Sequence, residues 1–174
     1  MQTVIKYTIF KTKWGYFGLA GTKSALYRTH LPWSEPKNIE SRLQKNLPGA
    51  QFDETFFKIL QKQIAAYFEG SCVNFSPDIP VILDGFGGFS REVLTACRDI
   101  EFGQSITYSG LAQKTGRPAA SRAVGNALAK NPLPLIIPCH RVLRTDGKMG
   151  GFSAPGGISF KKRMLALEHK ALKA

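Results

Sequence analysis

The chain has 174 residues, 43% of them hydrophobic and 21% charged, and a net charge of +12. That is room for one large domain or two small ones with real cores, at the composition of an ordinary globular protein. No apolar run approaches the roughly 20 residues a membrane-crossing helix needs, and Met1-Gln2-Thr3-Val4-Ile5-Lys6 lacks the charged-then-apolar order of a signal peptide, so a cytoplasmic protein without membrane attachment is expected.

The first third reads as β-structure. Residues 2–11 and 14–21 are rich in Val, Ile, Tyr, Phe and Thr, with Gly15 near the break between them. Residues 24–30 predict a third strand, ended by Leu31-Pro32-Trp33. A short helix is expected over 37–47 through Ile39, Leu43 and Leu47. A longer one is expected over 54–69, where Phe56, Phe57, Leu60, Ile64, Tyr67 and Phe68 mark a wide apolar face. Val81-Ile82-Leu83 predicts a last short strand before Gly85-Phe86-Gly87-Gly88, and that glycine cluster is the expected domain boundary. The division is therefore 1–85, a sheet-and-helix domain, and 89–174.

The second half reads as helices. Residues 90–101 form the first, with Ser90 as N-cap, and Ser109 caps a second over 110–115. Gly116-Arg117-Pro118 makes a turn, and residues 119–130 form a third helix stopped by Asn131-Pro132. Two short helices joined by a tight glycine-containing turn are the helix-turn-helix signature. In the third helix Val124 and Leu128 face the core, while Ala119, Arg122, Ala123 and Asn126 share another face. That small-residue face lets a helix enter a groove with Arg122 reaching in; from spacing alone, a solvated arginine on an alanine-rich helix is the favoured reading. Residues 1–88 carry 10 Lys/Arg against 7 Asp/Glu, and residues 89–174 carry 14 against 5. The excess fits a polyanionic partner, nucleic acid or an anionic membrane surface, as well as a merely solvated basic face.

Three cysteines, at 72, 97 and 139, make neither a disulfide framework nor a zinc site, because no C-x-x-C or H-x-x-x-H spacing exists. Cys97, between Val93 and Ile100, lies on an apolar helix stripe and reads as core; Cys72 carries no second signal. Cys139 closes the apolar run Leu133-Pro134-Leu135-Ile136-Ile137-Pro138-Cys139-His140-Arg141-Val142. A buried cysteine is usually inert packing. Here His140 and Arg141 place cations beside the sulfur, which favours the nucleophilic thiolate, and Pro138 fixes a bend. Cys139 and His140 cooperate directly only if the backbone turns between them; contact through one water is an equal alternative. Glu168, one turn after Met164 and one before Leu172, borders an apolar stripe and reads as a partly buried carboxylate or as a surface glutamate.

Ser121-Arg122-Ala123-Val124-Gly125-Asn126-Ala127-Leu128, then Asn131-Pro132, then Ile137-Pro138-Cys139-His140-Arg141-Val142 closely resembles the O6-alkylguanine-DNA alkyltransferases, the methylated-DNA–protein-cysteine methyltransferases. Phe89-Ser90-Arg91-Glu92-Val93, Phe102-Gly103 and Thr107-Tyr108 resemble the family upstream, as do Gly151-Phe152-Ser153 and Leu165-Ala166-Leu167-Glu168 downstream. The match spans roughly residues 89–169, with the first 85 similar only in outline. The resemblance implies an α/β (α+β) fold: a small N-terminal antiparallel β-sheet domain with helices, plus a C-terminal helical winged-helix, helix-turn-helix domain.

It also implies chemistry. Cys139 would accept the alkyl group from O6 of guanine as a thioether, so each molecule acts once. His140 would be the base, relayed through a water and oriented by Glu168, the triad logic applied to a thiol. The target base would be flipped out of the duplex, Arg122 would fill the vacated stack, and Tyr108 would crowd the 3′ phosphate and donate within the pocket. Ala120, Ser121, Ala123 and Gly125 would suit the minor groove. Asn131 would brace the turn beside the cysteine, with Leu128, Pro134, Val142, Phe152 and Ser153 lining the base pocket. No cofactor or metal is expected; the partner is double-stranded DNA containing O6-alkylguanine, and the protein a monomer.

Phe152 stands where the family usually has tyrosine, and Ala154-Pro155 resembles an insertion before Gly156-Gly157. Ser121 replaces a frequent alanine, Gly88 a common proline, and Leu94 a tryptophan frequent in bacterial members. None of these touches Cys139, His140, Arg122 or Asn131. Two other classes compete: a helix-turn-helix sensor of alkylated DNA with an idle thiol, and a cysteine hydrolase. A hydrolase has no use for Arg122 in a helix-turn-helix, and a pure binder has none for the thiol motif.

Overall fold

The computed structural model describes residues 4–174, so Gln2 and Thr3 of the predicted first strand lie outside it. Two compact units divide between Ile82 and Leu83.

In the first unit, β1 (Lys6–Thr12), β2 (Gly15–Gly21) and β3 (Leu26–Trp33) form an antiparallel meander. After α1 (Pro36–Asn46), the two residues of β4 (Gln51–Phe52) add to β1 in parallel, giving the order β3-β2-β1-β4. A strand of two residues is too short to alternate, which is why periodicity misses it. Helix α2 (Lys58–Glu69) buries Leu60, Ile64, Tyr67 and Phe68. The ring of Phe68 meets Trp14 and Phe17 with centroids 5.4 and 6.1 Å apart. Each such side chain contributes on the order of 1.5–3 kcal/mol by leaving water. The helix begins four residues later than the apolar pattern suggests, because Phe57 adopts a left-handed conformation (φ 52°) and residues 54–57 turn instead. The predicted strand at Val81-Ile82-Leu83 reduces to one bridge, Leu26 to Val81.

The second unit holds α3 (Gly88–Arg98), β5 (Ile106–Thr107), α4 (Tyr108–Lys114), α5 (Ser121–Ala129), β6 (Val142–Leu143) and α6 (Gly157–Ala171). The two short strands pair in parallel, Ile106 with Val142 and Thr107 with Leu143. Neither predicted serine cap is used. Helix α3 starts at Gly88 with Gly87 as N-cap, so Ser90 lies inside it. Thr107, not Ser109, caps α4, its Oγ1 accepting from the Gly110 N–H at 2.9 Å. The turn into α5 is a Schellman closure: Gly116 N–H donates to Gln113 O and Arg117 N–H to Ala112 O, with Gly116 at φ +72° where a side chain would strain. Val124, Ala127 and Leu128 of α5 are buried, and Arg122 and Ala123 face outward. The core gathers Val93, Leu94, Cys97, Leu111, Val124, Ile137, Val142 and Met164. Ala154-Pro155 is absorbed in a turn closed by Gly157 N–H to Ala154 O, directly before α6. No described helix is long and apolar enough to cross a membrane.

Candidate active site

Cys139 opens a three-residue 3-10 turn, Cys139–Arg141. Its shape follows from the proline-rich approach. Pro138 cannot donate a backbone hydrogen bond, but its carbonyl accepts from Arg141 N–H at 2.9 Å. Leu135, buried between two proline-containing dipeptides, holds φ 79°, a conformation that costs a non-glycine residue on the order of 1 kcal/mol or more. Asn131 fixes the run by two backbone bonds: Nδ2 donates to Ile137 O at 2.8 Å, and Oδ1 accepts from Leu133 N–H at 3.0 Å. Its amide also bears on the Cys139 thiol. The turn is the bend that adjacent Cys139 and His140 need, and it sends the two side chains into different surroundings.

Cys139 is half-buried and lines a cavity of about 560 Å³. Tyr108, Leu128, Phe152 and Ser153 share that wall, with Gly125 and Arg144. Ser153 Oγ donates to Ala129 O at 3.0 Å, pinning the far wall to α5. Gly150, at φ +67°, passes so close to Tyr108 that a Cβ there would lie 2.7 Å from the phenol oxygen. Two residues expected in the wall are elsewhere: Val142 is sealed in the core as part of β6, and Pro134 bridges to Ile137 within the approach loop. An adjoining cavity of about 570 Å³ shares Arg144, Gly150 and Gly151 and adds Lys148 and Lys162.

His140, Arg141 and Glu168 point into the core. His140 Nε2 is 2.7 Å from Glu168 Oε1. Arg141 donates from Nε to both carboxylate oxygens and from Nη2 to Oε1 at 3.0 Å, while its Nη1 donates to Ile100 O. Gly103 N–H adds a bond to Oε2 at 3.0 Å. Burial alone would raise the Glu168 carboxyl, but His140 and Arg141 outweigh it and bring its pKa to about 2. Burial pushes His140 down, against the pull of Glu168, so the imidazole is neutral near neutral pH. The Cys139 thiol is pushed up by burial, opposed by the Asn131 amide and by the charge of Lys161.

This corrects one expectation. His140 and Arg141 do not serve as cations beside the sulfur, because the first is neutral and the second is neutralised by Glu168. Arg141 is instead a structural clamp. Sequence reasoning also missed Lys161, which is fully buried and donates to Val142 O at 2.7 Å. Its signal was available, since Lys161, Met164 and Glu168 fall on one helix stripe. Tyr108 is half-buried, and burial raises its phenol, so it remains a hydrogen-bond donor. On α5, Arg122 and Ala123 are exposed, and Ser121 and Gly125 are partly so, as is the N-cap Ala120. Among the described residues, no group of three potential metal ligands occurs.

The family described as 6-O-methylguanine DNA methyltransferase, DNA binding domain, matches residues 88–170. A protein from Methanosarcina acetivorans named methylated-DNA–protein-cysteine methyltransferase is 32% identical over 163 residues, which cover 93% of this chain and 97% of that one. The crystal structure of Mycobacterium tuberculosis O6-methylguanine methyltransferase superposes with a TM-score of 0.77 at 31% identity, covering 97% of this chain and 94% of the other. A structure of Mycobacterium tuberculosis OGT in complex with DNA gives a TM-score of 0.79 at 31% identity, covering 95% and 94%.

Proposed function

The chain belongs to the methylated-DNA–protein-cysteine methyltransferase family, and from that premise we propose that it flips O6-alkylguanine out of duplex DNA and transfers the alkyl group to Cys139 once per molecule. The observation that carries this reading is the placement of the Cys139 thiol in the wall of a cavity bounded by α5, the second helix of the helix-turn-helix.

In the proposed step, the thiol proton passes through one water to Nδ1 of His140, whose Nε2–H is donated to Glu168. The sulfur then forms a bond to the alkyl carbon as the C–O6 bond breaks, and its electron pair moves to the guanine oxygen. The proton taken from sulfur returns to the released guanine, so the protein exchanges one hydrogen for one alkyl group. Tyr108 donates from the cavity wall to the flipped base, in an environment where water no longer competes for the bond. The thioether has no leaving group to give up, and the molecule is consumed.

Flipping costs a few kcal/mol of unpairing and unstacking. Arg122, exposed on α5, would occupy the vacated stack, with Ala120, Ser121, Ala123 and Gly125 keeping the helix close to the minor groove. Lys114, Arg117 and Lys130 on the same motif are exposed cations suited to phosphates. No observation favours the sensor or hydrolase readings over transfer. After incubation with duplex containing O6-methylguanine, the peptide bearing Cys139 should gain one methyl mass and repair should stop at one equivalent. An unmodified Cys139 after complete repair rejects the assignment.

A further inference from the structure

Beside the cavity that Cys139 lines is the second one, of about 570 Å³, and Arg144, Gly150 and Gly151 belong to the walls of both. Arg144 stands on the loop that follows β6, where its N–H donates to Lys148 O and its carbonyl accepts from Gly147 N–H, each at 3.0 Å. That turn sets Arg144 and Lys148 side by side, and Lys162 of α6 completes a trio of cations around the second space. Asp146 lies 3.0 Å from Arg144 and 4.0 Å from Lys148 but is not in the wall itself. Three positive charges against one carboxylate leave an excess of two. A guanidinium also carries five N–H donors, more than the Nη2 contact with Asp146 can use.

The second space is not merely charged. Met149 and Ile158 also line it, and Ile158 is 47% exposed. An apolar wall with a few fixed cations is the complement of a ligand with a hydrocarbon body and an anionic end. A DNA phosphate needs no such wall. Nor does any lining residue belong to α4 or α5, which carry the helix-turn-helix. Arg144, shared with the Cys139 cavity, points instead to a group that enters from the side of the sulfur. The seam between the two spaces is glycine, and beside Gly151 no atom lies within 4 Å of where a Cβ would stand.

We propose that this space is a subsite for the far end of the transferred group, and that it selects guanine adducts whose apolar chain or ring ends in a carboxylate. Arg144 determines the preference, Lys148 and Lys162 support it, and the apolar spacer lies along Met149 and Ile158. The inference rests on Cys139 as the alkyl acceptor and deepens that reading by naming a class of group. The bonds that change are those of the transfer itself: S–C forms, C–O6 breaks, and the proton from sulfur leaves on the guanine. The carboxylate keeps its charge throughout and only binds.

The test uses the whole protein and two free bases, O6-(para-carboxybenzyl)guanine and its neutral isostere O6-(para-carbamoylbenzyl)guanine, with mass spectrometry of the Cys139 peptide against time. Without DNA, no phosphate competes for the cations. Each variant is judged by its rate ratio, carboxylate over carboxamide, against the wild-type ratio, which cancels the different reactivities of the two benzyl groups. Arg144→Gln should lower the ratio by roughly threefold, and the same change at Arg144, Lys148 and Lys162 together by roughly tenfold. Asp146→Asn retains an acceptor for the Lys148 N–H and should raise the ratio by roughly twofold. Added salt should erode the wild-type preference. A ratio unmoved by Arg144→Gln overturns the proposal, even where both rates fall together, which marks a packing role for the loop. A fixed ratio with weaker binding of undamaged duplex by the triple variant also overturns it, and assigns the cations to the DNA backbone. Where the free bases react too slowly to follow, the same two groups are presented on a guanine within duplex DNA and the ratio is judged alike. Labelling of Cys139 without preference refutes the subsite alone; no labelling from duplex refutes the acceptor reading and the subsite with it.

Discussion

The imidazole of His140 and the carboxylate of Glu168 stand 2.7 Å apart with both side chains 1% exposed. A carboxylate so deeply buried is tolerable only because Arg141 and Gly103 also donate to it. The net charge of the trio is zero when His140 is neutral. That neutrality leaves the imidazole able to take a proton, which a permanently charged histidine would be unable to do.

Acid should therefore unfold the protein in two stages. The folded pKa of His140 is depressed, so its contribution is complete above the unfolded value of 6.5 and is lost as pH falls below it. Glu168 is depressed from 4.5 to about 2, so its contribution is lost between those values. The second stage is worth about 3 kcal/mol by linkage. Denaturant midpoints measured against pH should fall gently below 6.5 and steeply below 4.5; stability rising with acid in either window would contradict the network.

Glu168→Gln should cost more than a lost hydrogen bond. It leaves Arg141 buried without its counter-charge, a change of about 3–5 kcal/mol, and weakens the hold on His140, because a neutral amide oxygen replaces the charged acceptor. Urea denaturation gives the first effect. The second appears as slower methyl transfer to Cys139 in whatever folded fraction remains, and transfer at the wild-type rate would show that orientation is unimportant.

Arg122→Ala should separate flipping from folding. The side chain is exposed and off the core face of α5, so stability should change by no more than about 0.5 kcal/mol. Transfer from duplex DNA should slow by roughly ten- to a hundredfold, since the variant must bear a few kcal/mol of unstacking without the inserted side chain. Transfer from the free O6-methylguanine base needs no flipping and should be unaffected. Equal losses on both substrates would place Arg122 in the pocket and not in the stack.

These residues show what a sequence discloses and what it hides. The core face of α5 was legible because Val124 and Leu128 recur one turn apart, and the family motifs located Cys139, Asn131 and Glu168. The caps were not legible, because Ser90 and Thr107 differ only in where the backbone leaves the helical region. The strands of two residues are below any periodicity. Arg141 beside the sulfur in sequence suggested an electrostatic role, yet a 3-10 turn directs it to Glu168. Adjacency in sequence does not fix adjacency of side chains; the turn decides.

Gly150→Ala tests how tightly the cavity is built. Gly150 sits at φ +67°, where alanine is strained on the order of 1 kcal/mol or more. Its new Cβ would lie 2.7 Å from the Tyr108 oxygen and 2.8 Å from Cε2, inside van der Waals contact. Either the phenol end of Tyr108 or the loop that carries Gly151, Phe152 and Ser153 must give way, and both form the cavity wall. The variant should bind undamaged duplex as well as wild type, because α5 is untouched, and should accept methyl more slowly. The loss should grow with the size of the alkyl group, since displacement of the wall narrows the space a benzyl group needs more than that of a methyl. Comparing transfer rates for O6-methylguanine and O6-benzylguanine in the two proteins measures this directly, and an unchanged ratio would mean that the loop at Gly150 does not define the pocket.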